Sequence, residues 1–380
     1  MEQLSEARFG VLHGERLLDL AEIEALTITE LACELDKSQA WLSRVIQGEL
    51  SLSLSVASRA ADVFGVPIEF FSVNRLPQEN AVVTWRKLAS STKRMDKQIA
   101  GIFREAARLW RVTSEKSGYK TACLPTPADF DDDMESVATA VRVLGGVGEV
   151  EPIRNMVRFV ERLGVGVISP LNRLDVCDGK HSGISRPSRY ETRPLVCCVG
   201  QLNGAVQRLT IAHELGHLIY DLDLCAQPKP RGLEESRAFD FAGALLVPAG
   251  VMRSSITETT PLTSFLRLKA RYGISAAALV KRANRLGIIS SQRQRALFIQ
   301  ISSRGWRNQE PVNVPVETPQ LLAQALKKAW PNRTIDMASR ATGVKATHIA
   351  SWANLPYHQP GSNNVVKFPK LSTPSPTGVL

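Results

Sequence analysis

One pentapeptide limits this chain more than any other stretch: His213-Glu214-Leu215-Gly216-His217, set in Leu209-Thr-Ile-Ala-His-Glu-Leu-Gly-His-Leu-Ile-Tyr220. On an α-helix, positions i and i+4 differ by roughly 40° in azimuth and about 6 Å in rise, so the two imidazoles share one face, a turn apart. Two nitrogens so placed can grip one Zn²⁺, and Glu214 beside them can take a proton from water and later pass it to a leaving amine. The plain alternative is an amphipathic helix that happens to carry two histidines; the bare pattern arises by chance in roughly one chain in a hundred of this length. The flanks weigh against chance. Leu209, Ile211, Ala212, Leu215, Leu218 and Ile219 supply a buried face, and Gly216 removes a side chain where a substrate or a neighbouring strand comes close.

Two histidines leave a zinc site incomplete. Downstream, Leu233-Glu-Glu-Ser-Arg-Ala-Phe-Asp-Phe-Ala-Gly-Ala-Leu-Leu-Val-Pro248 reads as a helix with Ala238, Phe241, Ala242, Leu245 and Leu246 on one face and a stop at Pro248. Glu234 and Glu235 open it, seventeen and eighteen residues past His217, and on spacing alone either closes the site.

A chain of 380 residues with 44% hydrophobic content is long enough for two or three domains, each with its own core. No apolar run approaches the ~20 residues that span a bilayer, and Met1-Glu-Gln-Leu-Ser-Glu has no signal-peptide core, so no membrane partner is expected. The six cysteines lack C-x-x-C spacing, which argues for a reducing cytoplasm and against a disulfide scaffold or a cysteine zinc site. The net charge of +10 points to an anionic partner. It is unevenly spread: residues 1 to 75 hold twelve acidic against six basic side chains, the stretch from Arg86 to Lys120 is basic, and no Asp or Glu lies between Thr259 and Gln309. A solvated helical face is the plain reading of each basic block.

Residues 14 to 73 read as short helices. Thr27-Ile-Thr-Glu-Leu-Ala-Cys-Glu-Leu35, a turn at Asp36-Lys37, and a second helix capped by Ser38 and stopped at Gly48 follow helix-turn-helix grammar, with Leu31, Ala32 and Leu35 facing Trp41, Leu42, Val45 and Ile46. The segment resembles the five-helix DNA-binding domain of the phage-repressor (Cro-type, XRE) class, and the likeness extends to Val66-Pro-Ile-Glu-Phe-Phe71. That resemblance implies double-stranded DNA as a partner, with Lys37, Ser38, Gln39, Ala40, Ser43 and Arg44 near base edges or phosphates. Gln39 and Arg44 are the expected readers. The acidic balance departs from the class, so phosphate attraction must come from a concentrated patch or from the next stretch. A protein-binding variant of the motif remains open.

From Ala81 to about Cys123 the pattern predicts helix, with Ile99, Ile102, Phe103, Ala106, Leu109 and Trp110 at helical spacing, and Thr126 to Asp133 reads as a hinge. A helix from Glu151 to Leu163 and strands at Val165–Ser169 and Leu195–Val199 precede the histidine helix. Zinc peptidases commonly hold substrate as an added strand at such an edge. Cys197 and Cys198 read as buried strand residues.

Thr210-Ile-Ala-His-Glu-Leu-Gly-His217 together with Glu235-Ser-Arg-Ala-Phe-Asp-Phe-Ala-Gly-Ala-Leu-Leu-Val-Pro248 resembles the ImmA/IrrE metallopeptidases. Aligning Ala238, Phe241, Ala242 and Pro248 with that family's second motif implies Glu235, rather than Glu234, as the third ligand. Phe239 stands where the family usually has Asn. Gly183-Ile-Ser-Arg-Pro187, Arg193-Pro194 and the helical run Lys269 to Gly287 extend the likeness to about residue 311.

The fold expected is mainly α with a small β-sheet (α+β). The segments are a helix-turn-helix domain at 1–75, a basic helical connector at 76–125, a zincin-like peptidase domain with helical extension at 126–310, a helix-turn-helix-like helical region at 311–355 and a disordered tail at 356–380. The resemblance implies a regulator whose zinc endopeptidase, with His213, His217 and Glu235 as ligands and Glu214 as base, cuts a partner repressor. A homodimer is an allowed assembly. A sensor that binds metal or a small ligand without cutting, and a phage-defence or antitoxin-like component, are the alternatives. For the oxyanion, only His181, Tyr190 and Tyr220 lie near the motif.

Overall fold

Four short strands build a small sheet on which the helices are layered. In this computed structural model the described residues are 11–87, 92–172, 181–230 and 232–357. They form sixteen α-helices and one four-stranded sheet, mainly α with a little β as expected. The tail expected from 356 lies outside the described residues from 358 onward, and so does the side chain of His181.

The sheet comprises β1 (Thr84–Lys87), β2 (Gly166–Ile168), β3 (His181–Ser185) and β4 (Leu195–Cys198), in the order β1-β3-β4-β2. β1 and β4 run antiparallel to β3, and β2 is parallel to β4. Successive strand residues face opposite sides, so Leu195 and Cys197 join one core while Val196 and Cys198 join the other. Burial on both sides explains why β4 is an unbroken apolar run. It also places the adjacent Cys197 and Cys198 in different cores, both as buried thiols.

One layer holds the N-terminal head: α1 (Arg16–Ile23), α2 (Ile28–Glu34), α3 (Gln39–Ile46) and α4 (Leu54–Phe64), closed by a 3₁₀ turn at Ile68–Ser72. Thr27 and Glu30 cap α2 reciprocally, and the Ser38 hydroxyl accepts from Trp41 N at 3.2 Å to start α3. Leu31, Leu42 and Val45 are buried between them.

The helix expected over 81–123 is shorter, and this is a correction. Thr84–Lys87 is a strand, and helix α5 (Lys93–Lys116) starts at the Thr92 cap. A four-residue strand has no periodicity of its own to set against a long helical pattern beside it. The apolar face of α5 is the expected one, Ile99 to Trp110, but its basic residues are not all solvated. Arg104 Nη2 lies 2.9 Å from Asp19 Oδ1, and Arg108 pairs with Glu105 and Glu79 at 2.8 Å each. Arg16 joins the same network, 2.5 Å from Asp19 and 3.1 Å from Glu105. Arg104, which also reaches Glu22 at 2.6 Å, thus ties the acidic head to the basic stretch after it.

The C-terminal helices α14 (Leu321–Ala329), α15 (Thr334–Thr342) and α16 (Ala346–Ala353) belong to the same layer. Trp352 Nε1 donates to Leu171 O at 2.7 Å, and Lys345 pairs with Glu24 of the head at 3.2 Å. His348 is half-buried against the Trp352 ring.

The other layer packs α6 (Met134–Leu144), α7 (Met156–Arg162), α8 (Gly204–Tyr220), α9 (Leu233–Leu246), α10 (Ala249–Ser255), α11 (Leu262–Tyr272), α12 (Ala276–Arg285) and α13 (Ser291–Ser303) against the opposite sheet face. The helix expected from Glu151 begins only at Met156, where Asn155 supplies the cap. Part of the second basic block also turns inward, Lys269 onto Glu310 at 2.5 Å and Arg282 onto Glu135. No helix among the described residues is long and apolar enough to cross a membrane.

Candidate metal centre

Helix α8 starts where Asn203 Oδ1 accepts from Val206 N at 3.0 Å, and it runs through the core with almost every residue buried. Its close partner is α9. A Cβ at Gly216 would sit 3.2 Å from Ala238 Cα and 3.1 Å from the Phe241 ring, so glycine there admits α9 and not, as expected, a substrate or strand.

That approach brings together three side chains from the two helices. His213 Nε2 and His217 Nε2 are 3.1 Å apart, and each lies 3.4 Å from one oxygen of Glu235. His213, His217 and Glu235 form the His/Cys/Asp/Glu group suited to a metal among the described residues. Donor atoms held around one Zn²⁺ at about 2.0–2.2 Å in tetrahedral directions lie roughly 3.3–3.5 Å from one another. The two spacings to Glu235 match and the one between the histidines is slightly shorter, and the donor set of two imidazoles and a carboxylate suits that ion. Glu234, the other candidate, is outside the cluster.

The tautomer of His217 follows from its neighbour. Its Nδ1 lies 2.5 Å from Asp221 Oδ2, so Nδ1–H donates to the carboxylate and the Nε2 lone pair points inward. Arg237 holds the other oxygen of Asp221. Burial opposes a charge on His217, yet the Asp221 and Glu235 hydrogen bonds outweigh it and raise the imidazole to about 9. Burial would likewise lift Glu235, but hydrogen bonds from His213 and His217 hold it at about 2. Both shifts come from the close approach of the imidazoles and the two carboxylates.

Glu214, next to the first histidine on α8, meets the sheet. Ser185 Oγ donates to its Oε2 at 2.7 Å, and Thr84 Oγ1 lies 3.3 Å from the same atom. Oε1 is buried without a hydrogen-bond partner among the described residues. Burial, partly offset by His217 and Ser185, lifts the carboxyl to about 7. β3 comes this close only because of Gly183, where a Cβ would meet Glu214 Oε1 at 2.5 Å.

The remaining predicted residues divide. Lys37, Ser38, Gln39, Ala40 and Arg44 are exposed around the start of α3, Ser43 is half-buried, and Arg44 donates to Glu49 at 3.0 Å. Tyr190 is 81% exposed, and the Tyr220 ring packs beside Phe241 and Arg237 with its hydroxyl buried and without a hydrogen-bond partner among the described residues. Phe239 lies against the His213 ring at 4.3 Å between centroids. Asp221, Thr84 and the role of Ser185 were missed. Asp221 had a signal, one helical turn past His217; Thr84 had none.

Asp221→Asn is expected to lower zinc affinity by about 10- to 100-fold, since the amide no longer fixes the donating nitrogen. Competition against a chromophoric chelator measures it, and an unchanged affinity would remove Asp221 from the centre.

A family model described as IrrE N-terminal-like domain, the Peptidase_M78 family, matches residues 161–284. The match runs from the end of α7 to the end of α12 and takes in His213, Glu214, His217 and Glu235, so this segment is a peptidase-type domain. No curated protein matches the chain.

Proposed function

We propose that the chain is a regulator that binds double-stranded DNA through its N-terminal head and carries a zinc-dependent endopeptidase acting on a partner repressor or another regulatory protein. The observation that carries the peptidase half is the meeting of His213, His217 and Glu235 beside Glu214, inside the stretch that matches a peptidase family. Zn²⁺ held by those three side chains would supply a Lewis acid that polarises the scissile carbonyl and makes water more acidic. Glu214 is the proton carrier: Ser185 fixes Oε2, and Oε1 takes a proton from the attacking water and returns it to the leaving amine. Asp221 and Arg237 keep His217 in its donating tautomer.

Support for the DNA half is the exposure of Lys37, Gln39 and Arg44 over a buried seam of Leu31, Leu42 and Val45. Glu30, Glu34 and Asp36 are exposed nearby, so affinity rests on few cations. Gln39→Ala with Arg44→Ala is expected to weaken operator binding by tenfold or more. An unchanged affinity in a gel-shift titration would point to a protein partner for this face.

One observation favours a second reading. His213, Glu214 and His217 expose no surface, which also suits a metal- or small-ligand-sensing transcription factor that cuts nothing. Zinc analysis of the purified protein, combined with cleavage assays on repressors encoded beside it, separates the two. The peptidase reading expects cleavage that a zinc chelator stops and added Zn²⁺ restores. Bound zinc without cleavage would overturn it in favour of the sensor.

A further inference from the structure

The edge of the sheet beside the metal centre is formed by a strand from outside the family-matched stretch. β1 pairs antiparallel with β3, setting Thr84 opposite Ser185. Both side chains are completely buried, and so is Glu214. Thr84 Oγ1 lies 2.7 Å from Ser185 Oγ, and Ser185 Oγ lies 2.7 Å from Glu214 Oε2. Each hydroxyl has one proton to give. If Ser185 spent its proton on Thr84, the carboxylate would lose its shorter contact; if Thr84 donates to Ser185, the Ser185 proton stays on Glu214. The second arrangement uses both hydroxyl protons and keeps the short contact to Oε2, and Thr84 then decides where the Ser185 proton points.

We propose that Thr84 is a positioning residue for Glu214, supplied to the peptidase site by the strand that follows the N-terminal head; this rests on the peptidase reading above. The opposite role for β1 is a strand lying in the place of substrate, to be displaced before anything is cut. Its anchoring argues against displacement. Just upstream, Glu79 is buried and pairs with Arg108 at 2.8 Å, and its carbonyl accepts from Arg186 Nη1 at 3.3 Å. Arg186 directly follows Ser185. Moving the Glu79 segment together with β1 would strip a partner from the buried Arg108 and from the buried Arg186 side chain, both costly in the interior. A peptide substrate then meets the outer edge of β1 and not that of β3.

Thr84→Val keeps the β-branched shape and the strand pairing and removes only the hydroxyl; Thr84→Ser restores the hydroxyl. With a purified helix-turn-helix repressor as probe, Thr84→Val should lower kcat by about tenfold with KM and zinc content unchanged, while Thr84→Ser returns to within about twofold of the unsubstituted protein. A raised kcat would overturn the proposal in favour of a blocking strand, and an unchanged kcat would overturn it outright. A readout free of activity accompanies this: in full-length protein, the Tm loss of Thr84→Val/Glu214→Gln should fall short of the sum of the two single losses. Additive losses would show that the hydroxyl and the carboxylate do not communicate. If the unsubstituted protein cleaves nothing while the coupling is present, the peptidase reading is what fails and the clamp stands.

Discussion

Glu214→Gln is expected to keep its zinc and lose its cleavage, by roughly 10²- to 10⁴-fold, the usual contribution of a general acid–base residue. The amide has nearly the shape of the carboxylate, and Ser185 Oγ remains at hand to donate to its oxygen, so the packing of α8 against β3 is preserved. What disappears is the proton acceptor at Oε1, which is buried without a hydrogen-bond partner among the described residues. Since His213, His217 and Glu235 form the donor set without Glu214, metal content measured by plasma mass spectrometry should stay the same. Cleavage that persists near its original rate in a zinc-replete variant would sink the role given to Glu214.

Arg108→Met should cost about 3–5 kcal/mol of stability, the range for removing one partner of a buried ion pair. Arg108 bridges Glu79 and Glu105 at 2.8 Å each, and all three side chains are almost wholly buried. Methionine has a similar apolar stem, so the loss measures the stranded carboxylates more than a cavity. Glu105 keeps Arg16 at 3.1 Å, but Glu79 is left with Arg111 at 3.6 Å. Burial pushes the Glu105 carboxyl up, and Arg108 and Arg16 overcome it to hold the group below its ordinary value. Its contribution to stability is therefore complete above the unfolded-state value of about 4.3 and is lost as pH falls below that. Urea unfolding of the full-length protein, followed by intrinsic fluorescence, gives the difference. A loss under about 1 kcal/mol would mean that the network contributes little, and a double variant that also replaces Glu79 by Gln should recover part of the loss.

Much of the centre was legible in the residues because helices encode their faces locally. The i, i+4 spacing put His213 and His217 on one side of α8, and the first turn of α9 narrowed the third ligand to Glu234 or Glu235. Motif alignment favoured Glu235, the one the structure brings to the histidines. The head of α3 was also readable, since Ser38 acts within three residues of the backbone group it caps.

What the chain determined by itself was thus short in range: helix faces, caps and the identity of the side chains that could hold a metal. Tertiary structure alone decided which distant segments complete the site. Thr84 meets Ser185 across 101 positions, Arg208 meets Glu317 across 109, and Arg108 meets Glu79 across 29. None of these pairs leaves a periodic trace, because a four-residue strand or a single ion pair is specified by the packing that buries it. His213 to His217 announced the chemistry; the strand laid against β3 by the fold decides how its base is held.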